Sequence, residues 1–357
     1  MSKPKINQIL PSLSYGDAVG NEVLEIRTIL KSWGYDSDIY AAHVHPKLRG
    51  IAKNYTKYKK ISSPNNILIF HFAIGSEVSK FVKNLPDKKI IIYHNITPSK
   101  FFLGYDENLA HLVRCGREEL AAFPKTTELA LGVSEYNRKE LVELGFEKTG
   151  ALPIILDFDK YAQEPDKKIL DKFADNNTNI LFVGRISPNK KQTDIIKMFC
   201  YYNKFIDPNS RLFLVGSYTG TESYYNYIQR LIIRLDLENV YITGRVDFKE
   251  LLAYYKLADI FVSMSEHEGF CIPLLESMYF NVPIMAYNSS AIPYTLNGAG
   301  VLFNKKNYDE IAELAHIIIN DESFREKIIK KQRIRLKDFE RSKIEEILKK
   351  YITEVLD

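Results

Sequence analysis

The sequence predicts an α/β protein built from two doubly wound, Rossmann-like domains that face each other across a cleft. Two observations predict this fold. Strand-like apolar runs alternate with amphipathic, helix-like segments along most of the 357 residues, and the alternation forms two consecutive series of similar length. Such alternation is typical of parallel sheets covered by helices on both faces. Ligands of these sheets bind outside the carboxyl ends of the strands, so we expect the site in the cleft.

The first domain is predicted to span residues 1–157. It begins with a βαβ unit, which has a strand in INQILPSL, a helix that Gly34 ends, and a strand in DSDIYAA. Further strands are predicted in NILIFHF and KIIIYHNI. The segment LALGVSEYNRKELVELGF predicts a strand, a cap at Ser134 and a helix that ends near Gly145.

The second domain is predicted to span residues 158–339, after a polar linker near residues 155–175. Its strands are expected in NILFVGRI, RLFLVGSY, VYITGRV, DIFVSMS and VPIMAYN, with helices such as TDIIKMFCYYNKF and YYNYIQRLIIRLDL between them. The charged C-terminal stretch predicts one or two helices with a solvated face. We expect the last helix, about 340–357, to pack back on the first domain.

Composition and charge argue against several classes of protein. Apolar residues make up 45% of the chain and charged residues 26%, which is typical of a folded globular protein. Lysine and arginine outnumber aspartate and glutamate by only 49 to 45, so the net charge gives no indication of a nucleic-acid partner. The most apolar runs are shorter than the ~18 residues that span a bilayer, and we interpret them as buried strands.

The cysteines and the N-terminal residues predict a cytoplasmic protein. Cys115, Cys200 and Cys271 are far apart, odd in number and in no metal-ligand spacing, which indicates a reducing compartment without disulfides. The N-terminal segment MSKPKINQILPSLSYGD lacks the long apolar stretch of a signal peptide. We therefore expect a cytoplasmic location, at most peripheral at the inner face of the cell membrane.

The stretch SEHEGFCIPLLESMYFNVP places two glutamates, Glu268 and Glu276, around the predicted start of a helix. The amides of a helix start bind anions such as a diphosphate, and here they begin at Gly269, Phe270 and Cys271. Glu276 is placed to accept hydrogen bonds from a ribose diol, and Glu268 lies near the group attached to the diphosphate. The alternative is that both acids only complement the helix dipole, which is worth about 0.3–1 kcal/mol.

The segment FVGRISPNKK places two cations in a loop between a strand and a helix. Gly184 and Arg185 end the strand, and Lys190 lies five residues beyond Arg185. Both cations could neutralise a departing diphosphate, as a metal ion does in other enzymes. Lys191 is the weaker candidate, and a pair of exposed loop cations is the alternative.

Together these two segments resemble the family-4 glycosyltransferases, which are retaining enzymes of the GT-B fold. The shared signature is a Gly-Arg loop with a lysine, FVGRISPNKK, and two glutamates separated by seven residues in EHEGFCIPLLE. The resemblance is strong across 180–304, including AIPYTLNGAGVLF, and weaker over the first domain. It implies that Arg185 and Lys190 bind the donor phosphates. It also implies that Glu276 binds the ribose, and that Glu268 contacts the donor sugar or its phosphate side.

One position departs from the pattern of the family that the chain resembles. Its members commonly have glycine where this chain has Lys191. The lysine adds a charge and a side chain beside the phosphate loop. It also leaves the register of the phosphate-binding lysine open between Lys190 and Lys191.

Two glycines and a histidine of the first domain are further candidates. Gly16 and Gly20 in SYGDAVGNE would let the backbone approach a bound donor, although an ordinary strand-to-helix turn explains them as well. His94 ends the strand in IIIYHNITP, whereas we interpret His71 in IFHFA as a core residue. The resemblance implies that His94 contacts the reacting sugar, and we assign it no acid–base role.

Two aspartate pairs invite a metal interpretation, but we predict no metal. Asp36 and Asp38 lie in a predicted helix-to-strand turn, and Asp157 and Asp159 resemble the linker of this family. A double displacement would need a carboxylate nucleophile beside the sugar carbon, and the sequence identifies none. We therefore follow the same-face substitution proposed for the family, in which the leaving phosphate helps to deprotonate the acceptor.

The basic segment HPKLRGIAKNYTKYKK is a candidate surface for a membrane or a lipid-linked acceptor. Juxtamembrane basic clusters gain about 1 kcal/mol per residue from anionic membranes. A solvated charged loop is the favoured alternative. The residues that we single out for the membrane or acceptor are Lys57, Lys59 and Lys60.

The sequence thus predicts a metal-independent, retaining glycosyltransferase. It would move a hexose-type sugar from a nucleotide to a hydroxyl of a glycan or lipid-linked acceptor in surface polysaccharide or glycolipid synthesis. The resemblance favours a GDP-mannose donor slightly over UDP-hexoses. The alternatives are a sugar-nucleotide epimerase of the GT-B fold and a noncatalytic nucleotide-sugar-binding or membrane-scaffold protein. The catalytic candidates are His94, Arg185, Lys190 and Glu268.

Overall fold

A computed structural model describes residues 4–357, and the chain divides into two compact units. The first unit comprises Met1–Lys100, Asn108–Leu156 and Phe339–Asp357, and the second comprises Phe101–Glu107 and Asp157–Asp338. Residues 1–3 of the predicted first domain lie outside the described residues. The short segment 101–107 belongs to the second unit, which the sequence did not indicate.

The first unit is a seven-stranded sheet with helices. Its strands are β1 Ile6–Leu13, β2 Ile39–Val44, β3 Ala52–Asn54, β4 Ile67–Phe72, β5 Lys88–Tyr93, β6 Leu129–Gly132 and β7 Thr149–Ala151. Its first helices are α1 Ala18–Ser32, α2 Glu77–Lys83, α3 Glu107–Leu120 and α4 Glu135–Glu143. Short 3₁₀ turns lie at Pro46–Leu48, Tyr55–Lys60, Ser99–Phe101 and Pro124–Thr126. The strands are parallel, in the order β3-β2-β1-β4-β5-β6-β7.

The second unit repeats this plan. After the 3₁₀ turn Phe158–Ala162, its helices are α5 Lys167–Lys172, α6 Gln192–Tyr201, α7 Glu222–Arg234, α8 Phe248–Leu257, α9 Ile272–Tyr279, α10 Ile292–Leu296, α11 Tyr308–Asn320 and α12 Glu322–Leu336. Its strands are β8 Thr178–Val183, β9 Ser210–Val215, β10 Val240–Gly244, β11 Ile260–Ser263, β12 Ile284–Tyr287 and β13 Val301–Phe303. They are parallel, in the order β10-β9-β8-β11-β12-β13, which is the Rossmann order.

The central strands are apolar because they are buried on both faces. Every residue of β4, with the sequence ILIFHF, is buried, and so is every residue of β9, SRLFLV. Strands of parallel sheets covered by helices read as continuous apolar runs for this reason. The β4 run was predicted as a buried strand from its sequence alone, and the β9 run was predicted as a strand.

Several helix ends follow the predicted local chemistry. The Ser134 side chain accepts a hydrogen bond from the Asn137 amide at 3.3 Å and caps α4. Gly34 and Gly145 follow α1 and α4 with φ of 77° and 87°, a left-handed conformation that glycine adopts without a steric penalty. These helices therefore begin and end where the sequence predicts.

The region predicted as a linker is partly helical. It contains the 3₁₀ turn Phe158–Ala162 and helix α5, and Tyr161 is buried within the second unit. The polar composition of residues 155–175 had indicated only a linker between the two domains. The contacts of Tyr161, given below, explain why this segment is ordered.

The C-terminal stretch forms two successive helices joined by the 3₁₀ turn Lys337–Phe339, as the sequence allows. The second of them, α13 Arg341–Leu356, belongs to the first unit and buries Ile344, Leu348 and Ile352. The Lys88 ammonium donates to the Val355 carbonyl at 2.7 Å. Among the described residues, no helix combines the length and apolar character needed to cross a bilayer.

Candidate functional site

The candidate site of the second unit lies where its strand order reverses. Strands β8 and β11 are neighbours, although the chain reaches β11 only after β9 and β10. Loops that follow such strands diverge and leave a crevice at the carboxyl edge of the sheet. The loop after β8 carries Gly184, Arg185 and Lys190, and the loop after β11 carries Glu268. The fold therefore brings the two predicted motifs together.

Lys190 and Glu268 form an ion pair across this crevice. The Lys190 ammonium donates a hydrogen bond to the Glu268 carboxylate, and the two side chains are only 20% and 7% exposed. Two hydrogen bonds join the loops beside this pair: the Asn189 side-chain amide donates to the His267 carbonyl at 3.0 Å, and the Glu266 backbone amide donates to the Asn189 carbonyl at 2.8 Å. The predicted phosphate-binding cation and the predicted sugar-binding acid thus neutralise each other in this structure.

The Arg185 side chain contacts the loop after the neighbouring strand β9. Its guanidinium Nη2 donates to the Thr219 carbonyl at 3.0 Å, in the loop after β9, and its own carbonyl accepts from the Gln192 amide group at 2.9 Å. Arg185 is exposed. It therefore lies at the same sheet edge as Lys190 but outside the ion pair.

Glu276 is held by two tyrosines. Its two carboxylate oxygens accept hydrogen bonds from the Tyr161 hydroxyl at 2.9 Å and the Tyr255 hydroxyl at 2.6 Å. The carboxylate is buried, and burial raises its pKa. A carboxylate has about four lone-pair sites, so one acceptor site on each oxygen remains for a diol. The sequence did not indicate either tyrosine, since Tyr161 lies in the predicted linker and Tyr255 within an apolar helix.

The loop from Glu268 to the start of α9 makes hydrogen bonds with Ser290 and with Thr295 of α10. The Glu268 amide donates to the Ser290 hydroxyl at 2.7 Å, and the Thr295 hydroxyl donates to the Phe270 carbonyl at 2.7 Å. Cys271 caps the helix in a left-handed conformation with φ of 70°. Directly after it, the Ile272 amide lies at the start of α9, Pro273 has no amide hydrogen, and the Leu274 amide donates to the Cys271 carbonyl at 3.1 Å.

Lys191 has a left-handed backbone and a different partner from Lys190. Its φ is 53° where the 3₁₀ turn Pro188–Lys190 meets α6. Its ammonium lies 3.3 Å from the Glu266 carboxylate, which also pairs with Lys306 at 2.8 Å. A positive φ favours glycine, which is a physical reason for glycine at this position in similar sequences. Of the two lysines, Lys190 is the one beside Glu268.

A small cavity lies next to Arg185 in the second unit. Its volume is about 160 Å³, and segment 101–107 supplies part of its wall through Phe102, Tyr105 and Asp106. Gly220 forms another part, and a Cβ there would lie 3.2 Å from Arg185 Nη2. Ligand pockets are usually about 300–1,000 Å³, so this cavity is smaller than a nucleotide site.

In the first unit, Gly16 and Gly20 shape the turn into α1. Asp17 caps this helix by accepting from the Gly20 amide at 2.6 Å, and Gly16 has φ of 73°. A Cβ on Gly20 would lie 2.3 Å from the Ser14 carbonyl oxygen. The turn alone therefore requires both glycines, as the alternative for these residues predicted.

His94 lies at the end of β5 with both ring nitrogens facing protein groups. Its Nε2 lies 3.0 Å from His71 Nδ1, and its Nδ1 lies 3.4 Å from Glu22 Oε2. The side chain is only 4% exposed. His71 is buried as predicted, but it contacts His94 directly, which the sequence did not indicate.

Among the described residues, Glu22, His71 and His94 are the group whose side chains could hold a metal ion, with ligand atoms within 4.8 Å of one another. His94 directs different ring nitrogens at the other two, Nε2 at His71 and Nδ1 at Glu22, so in this arrangement the three side chains do not converge on one ion. Three of the four aspartates in the two pairs have cationic partners. Asp36 pairs with Lys5, Asp38 with Lys53, and Asp157 with Lys160.

The basic segment contains both structural and exposed residues. Its Tyr58 is buried, with its hydroxyl 2.6 Å from the Asp87 carboxylate. The 3₁₀ turn Tyr55–Lys60 leaves three cations exposed, namely Lys57, Lys59 and Lys60.

Comparison with known proteins gives a family match for most of the second unit. Residues 163–335 match the family described as "Glycosyl transferases group 1". The chain is 28% identical over 193 residues to the "GalNAc-alpha-(1->4)-GalNAc-alpha-(1->3)-diNAcBac-PP-undecaprenol alpha-1,4-N-acetyl-D-galactosaminyltransferase" of Campylobacter jejuni, which covers 53% of this chain and 52% of that protein. The chain thus matches about half the length of this relative. It is also 27% identical to the "Capsular polysaccharide biosynthesis glycosyltransferase CapM" of Staphylococcus aureus, over 82% of this chain and 79% of that protein.

Solved structures match both units. The HepE protein of Anabaena in complex with UDP-glucose superposes with a TM-score of 0.75 and 17% identity, over 98% of this chain and 99% of that one. A glycosyltransferase of Rickettsia africae gives a TM-score of 0.74 and 16% identity over the full length of both chains. Together with the two Rossmann-like sheets, these matches confirm the predicted α/β fold class.

The left-handed backbone at Lys191 predicts a difference between two substitutions. Lys191→Gly and Lys191→Ala remove the same ion pair with Glu266, but only glycine relieves the positive φ. A left-handed residue with a Cβ costs about 1–2 kcal/mol. We therefore expect the glycine variant to be more stable than the alanine variant by about 1 kcal/mol in urea denaturation. Equal stability of the two variants would show that the backbone there carries no strain.

Proposed function

We propose that the chain, whose residues 163–335 match the family described as "Glycosyl transferases group 1", moves a hexose-type sugar from a nucleotide donor to a hydroxyl of a glycan or lipid-linked acceptor. The observation that carries the proposal is the convergence of Lys190, Glu268 and the start of α9 at the crevice between β8 and β11. Cations and helix amides together suit a diphosphate.

The residues of this crevice suggest a division of roles. Arg185 and Lys190 would bind the diphosphate and neutralise the charge that grows on it as the sugar leaves. Lys190 would then exchange its contact with Glu268 for a phosphate oxygen, which frees the Glu268 carboxylate for a sugar hydroxyl. Glu276, oriented by its two tyrosines, would accept from the ribose.

We propose that the transfer retains the configuration of the sugar and needs no metal ion. The bond from the sugar carbon to the diphosphate oxygen breaks while the acceptor oxygen bonds to the same face of that carbon. The acceptor proton goes to an oxygen of the leaving phosphate. The cations of the crevice would supply the charge stabilisation that a metal ion gives in other transferases.

The relatives support a role in surface polysaccharide or glycolipid synthesis. One relative is named for capsular polysaccharide biosynthesis and another for an undecaprenol-linked glycan, and "O-antigen chain mannosyltransferase B" of Escherichia coli is also similar. Mannose is therefore one of the hexoses that we propose as the donor sugar, with GDP or UDP as its carrier. We further propose that the protein works in the cytoplasm, at the inner face of the membrane.

A transfer assay with single-site variants tests the donor site. Nucleotide sugars, including GDP-mannose and UDP-hexoses, are incubated with lipid-linked or free glycan acceptors, and released nucleoside diphosphate is measured. We expect Lys190→Ala to lower the rate by about 100-fold or more, since charge-stabilising donors are typically worth that much. The matched control is Lys197→Ala on α6, which removes a half-exposed lysine of the same unit. Equal rates in the two variants would contradict the role of Lys190.

A vesicle-binding assay tests the membrane contact. We expect the protein to bind vesicles that contain anionic lipid, and the triple change of Lys57, Lys59 and Lys60 to Glu to abolish binding. The matched control reverses the charge of three exposed lysines on α12, namely Lys327, Lys330 and Lys331. Binding that persists in the first variant, or is lost equally in both, would remove this surface from the proposal.

A further inference from the structure

Four side chains of the first unit, carried by β1, β4, α1 and the residue after β5, form a continuous chain of contacts. The side-chain oxygen Oε1 of Gln8, on β1, lies 2.9 Å from Nε2 of His71, on β4. His71 Nδ1 lies 3.0 Å from His94 Nε2, and His94 Nδ1 lies 3.4 Å from Glu22 Oε2 on α1. The side chains of Glu22, His71 and Gln8 are fully buried.

One end of this chain fixes the direction of its hydrogen bonds. The Gln8 amide Nε2 donates to the Val23 carbonyl at 3.0 Å, so its Oε1 must accept from His71 Nε2. A neutral His71 then has a lone pair on Nδ1, which accepts from His94 Nε2. This order leaves a neutral His94 with a lone pair on Nδ1, and that lone pair faces Glu22.

The other end of the chain is a carboxyl group without a hydrogen-bond partner. Both oxygens of Glu22 are buried and unpartnered among the described residues. In an ionised carboxylate, the oxygen lone pairs would repel the lone pair on His94 Nδ1. Burial of the charge without a partner would also cost free energy. A protonated carboxyl would instead donate to His94 Nδ1 and complete the chain.

The alternative of a charged His94 and an ionised Glu22 fits the contacts less well. An ion pair would bury two charges here, and both Glu22 oxygens lack the additional hydrogen bonds that offset the desolvation of a buried charge. A single metal ion fits less well too, because His94 would have to give up either His71 or Glu22. Burial lowers the pKa of His94 to about 3 and raises that of Glu22 to about 8, in agreement with the neutral form of both groups.

We propose that Glu22 is a carboxylic acid that keeps its proton at neutral pH, and that Glu22, His71 and Gln8 are positioning residues that hold His94 as the Nε2-protonated tautomer. Both ring nitrogens of His94 are then engaged within the protein. While the chain is intact, His94 offers a ligand no free nitrogen and cannot act as a general base. Neither the protonation of Glu22 nor the tautomer of His94 depends on the proposed function.

A protonated Glu22 makes the free energy of unfolding depend on pH. The ordinary pKa of a glutamate is 4.5, and that of Glu22 in the folded protein is about 8. Between these values the folded state binds more protons than the unfolded state, so the contribution of Glu22 to stability falls as pH rises. His94 has the opposite sign and acts at lower pH, since its pKa falls from 6.5 to about 3, and burial also lowers the pKa of His71.

The first experiment compares Glu22→Gln with the wild type in urea denaturation between pH 6.5 and 8. The glutamine amide can donate to His94 Nδ1 as the protonated acid does, but it does not titrate. We expect the unfolding constant of the wild type to rise relative to that of the variant by up to about tenfold per pH unit. The matched control is Glu25→Gln on the same helix, whose carboxylate pairs with Arg341 at 3.1 Å and should give a pH-independent difference. A pH-independent difference for Glu22→Gln would overturn the proposal.

The second experiment begins with a measurement on the wild type that reads the tautomers directly. Nitrogen-15 NMR of the histidine-labelled wild type at pH 7 should show His71 and His94 as neutral, Nε2-protonated rings. An imidazolium signal for His94 would overturn the proposal in favour of the ion pair.

A melting measurement with added Zn²⁺ tests the metal alternative. A rise in melting temperature that Glu22→Gln abolishes would overturn the proposal in favour of a metal site. Neither measurement depends on transferase activity, so failure here is distinct from failure of the proposed function.

Discussion

Parallel strand pairing is the constraint on which the structure depends. In each unit every strand runs in the same direction, so the carboxyl ends of all strands meet at one edge of the sheet. The strand order reverses between β1 and β4 in the first unit and between β8 and β11 in the second. The loops at these points diverge, and both groups of candidate residues lie beside them.

Charge compensation distinguishes the site of the second unit. A site for a diphosphate must concentrate cations, which is unfavourable when no ligand is present. The contact between Lys190 and Glu268 reduces that cost, because each charge is paired before a donor arrives. The buried carboxylate of Glu276 is stabilised in a different way, because two tyrosine hydroxyls donate hydrogen bonds to it. On this account, Lys190 exchanges its contact with Glu268 for a phosphate oxygen when the donor binds. Binding therefore does not require charges that were unpaired beforehand.

Local patterns in the sequence were sufficient for the fold and for the strand ends. The apolar runs, the Ser134 cap and the terminal glycines of α1 and α4 depend on neighbours in the chain, and the structure confirms them. Partners that are distant in sequence were not predictable. Tyr161 reaches Glu276 across 115 positions, and Gln8 reaches His71 across 63. Only the packing of the folded units reveals such pairs, which is why the helical part of the predicted linker and the buried partners of His94 were missed.

The measurement that tests the central claim most directly is calorimetric titration with UDP, GDP, ADP and TDP, in EDTA and in Mg²⁺. The account predicts that at least one nucleoside diphosphate binds, with the same affinity in both buffers, and that Lys190→Ala weakens this binding. Binding that requires Mg²⁺ would contradict the metal-independent site. Absence of binding by all four nucleotides would contradict the donor site itself.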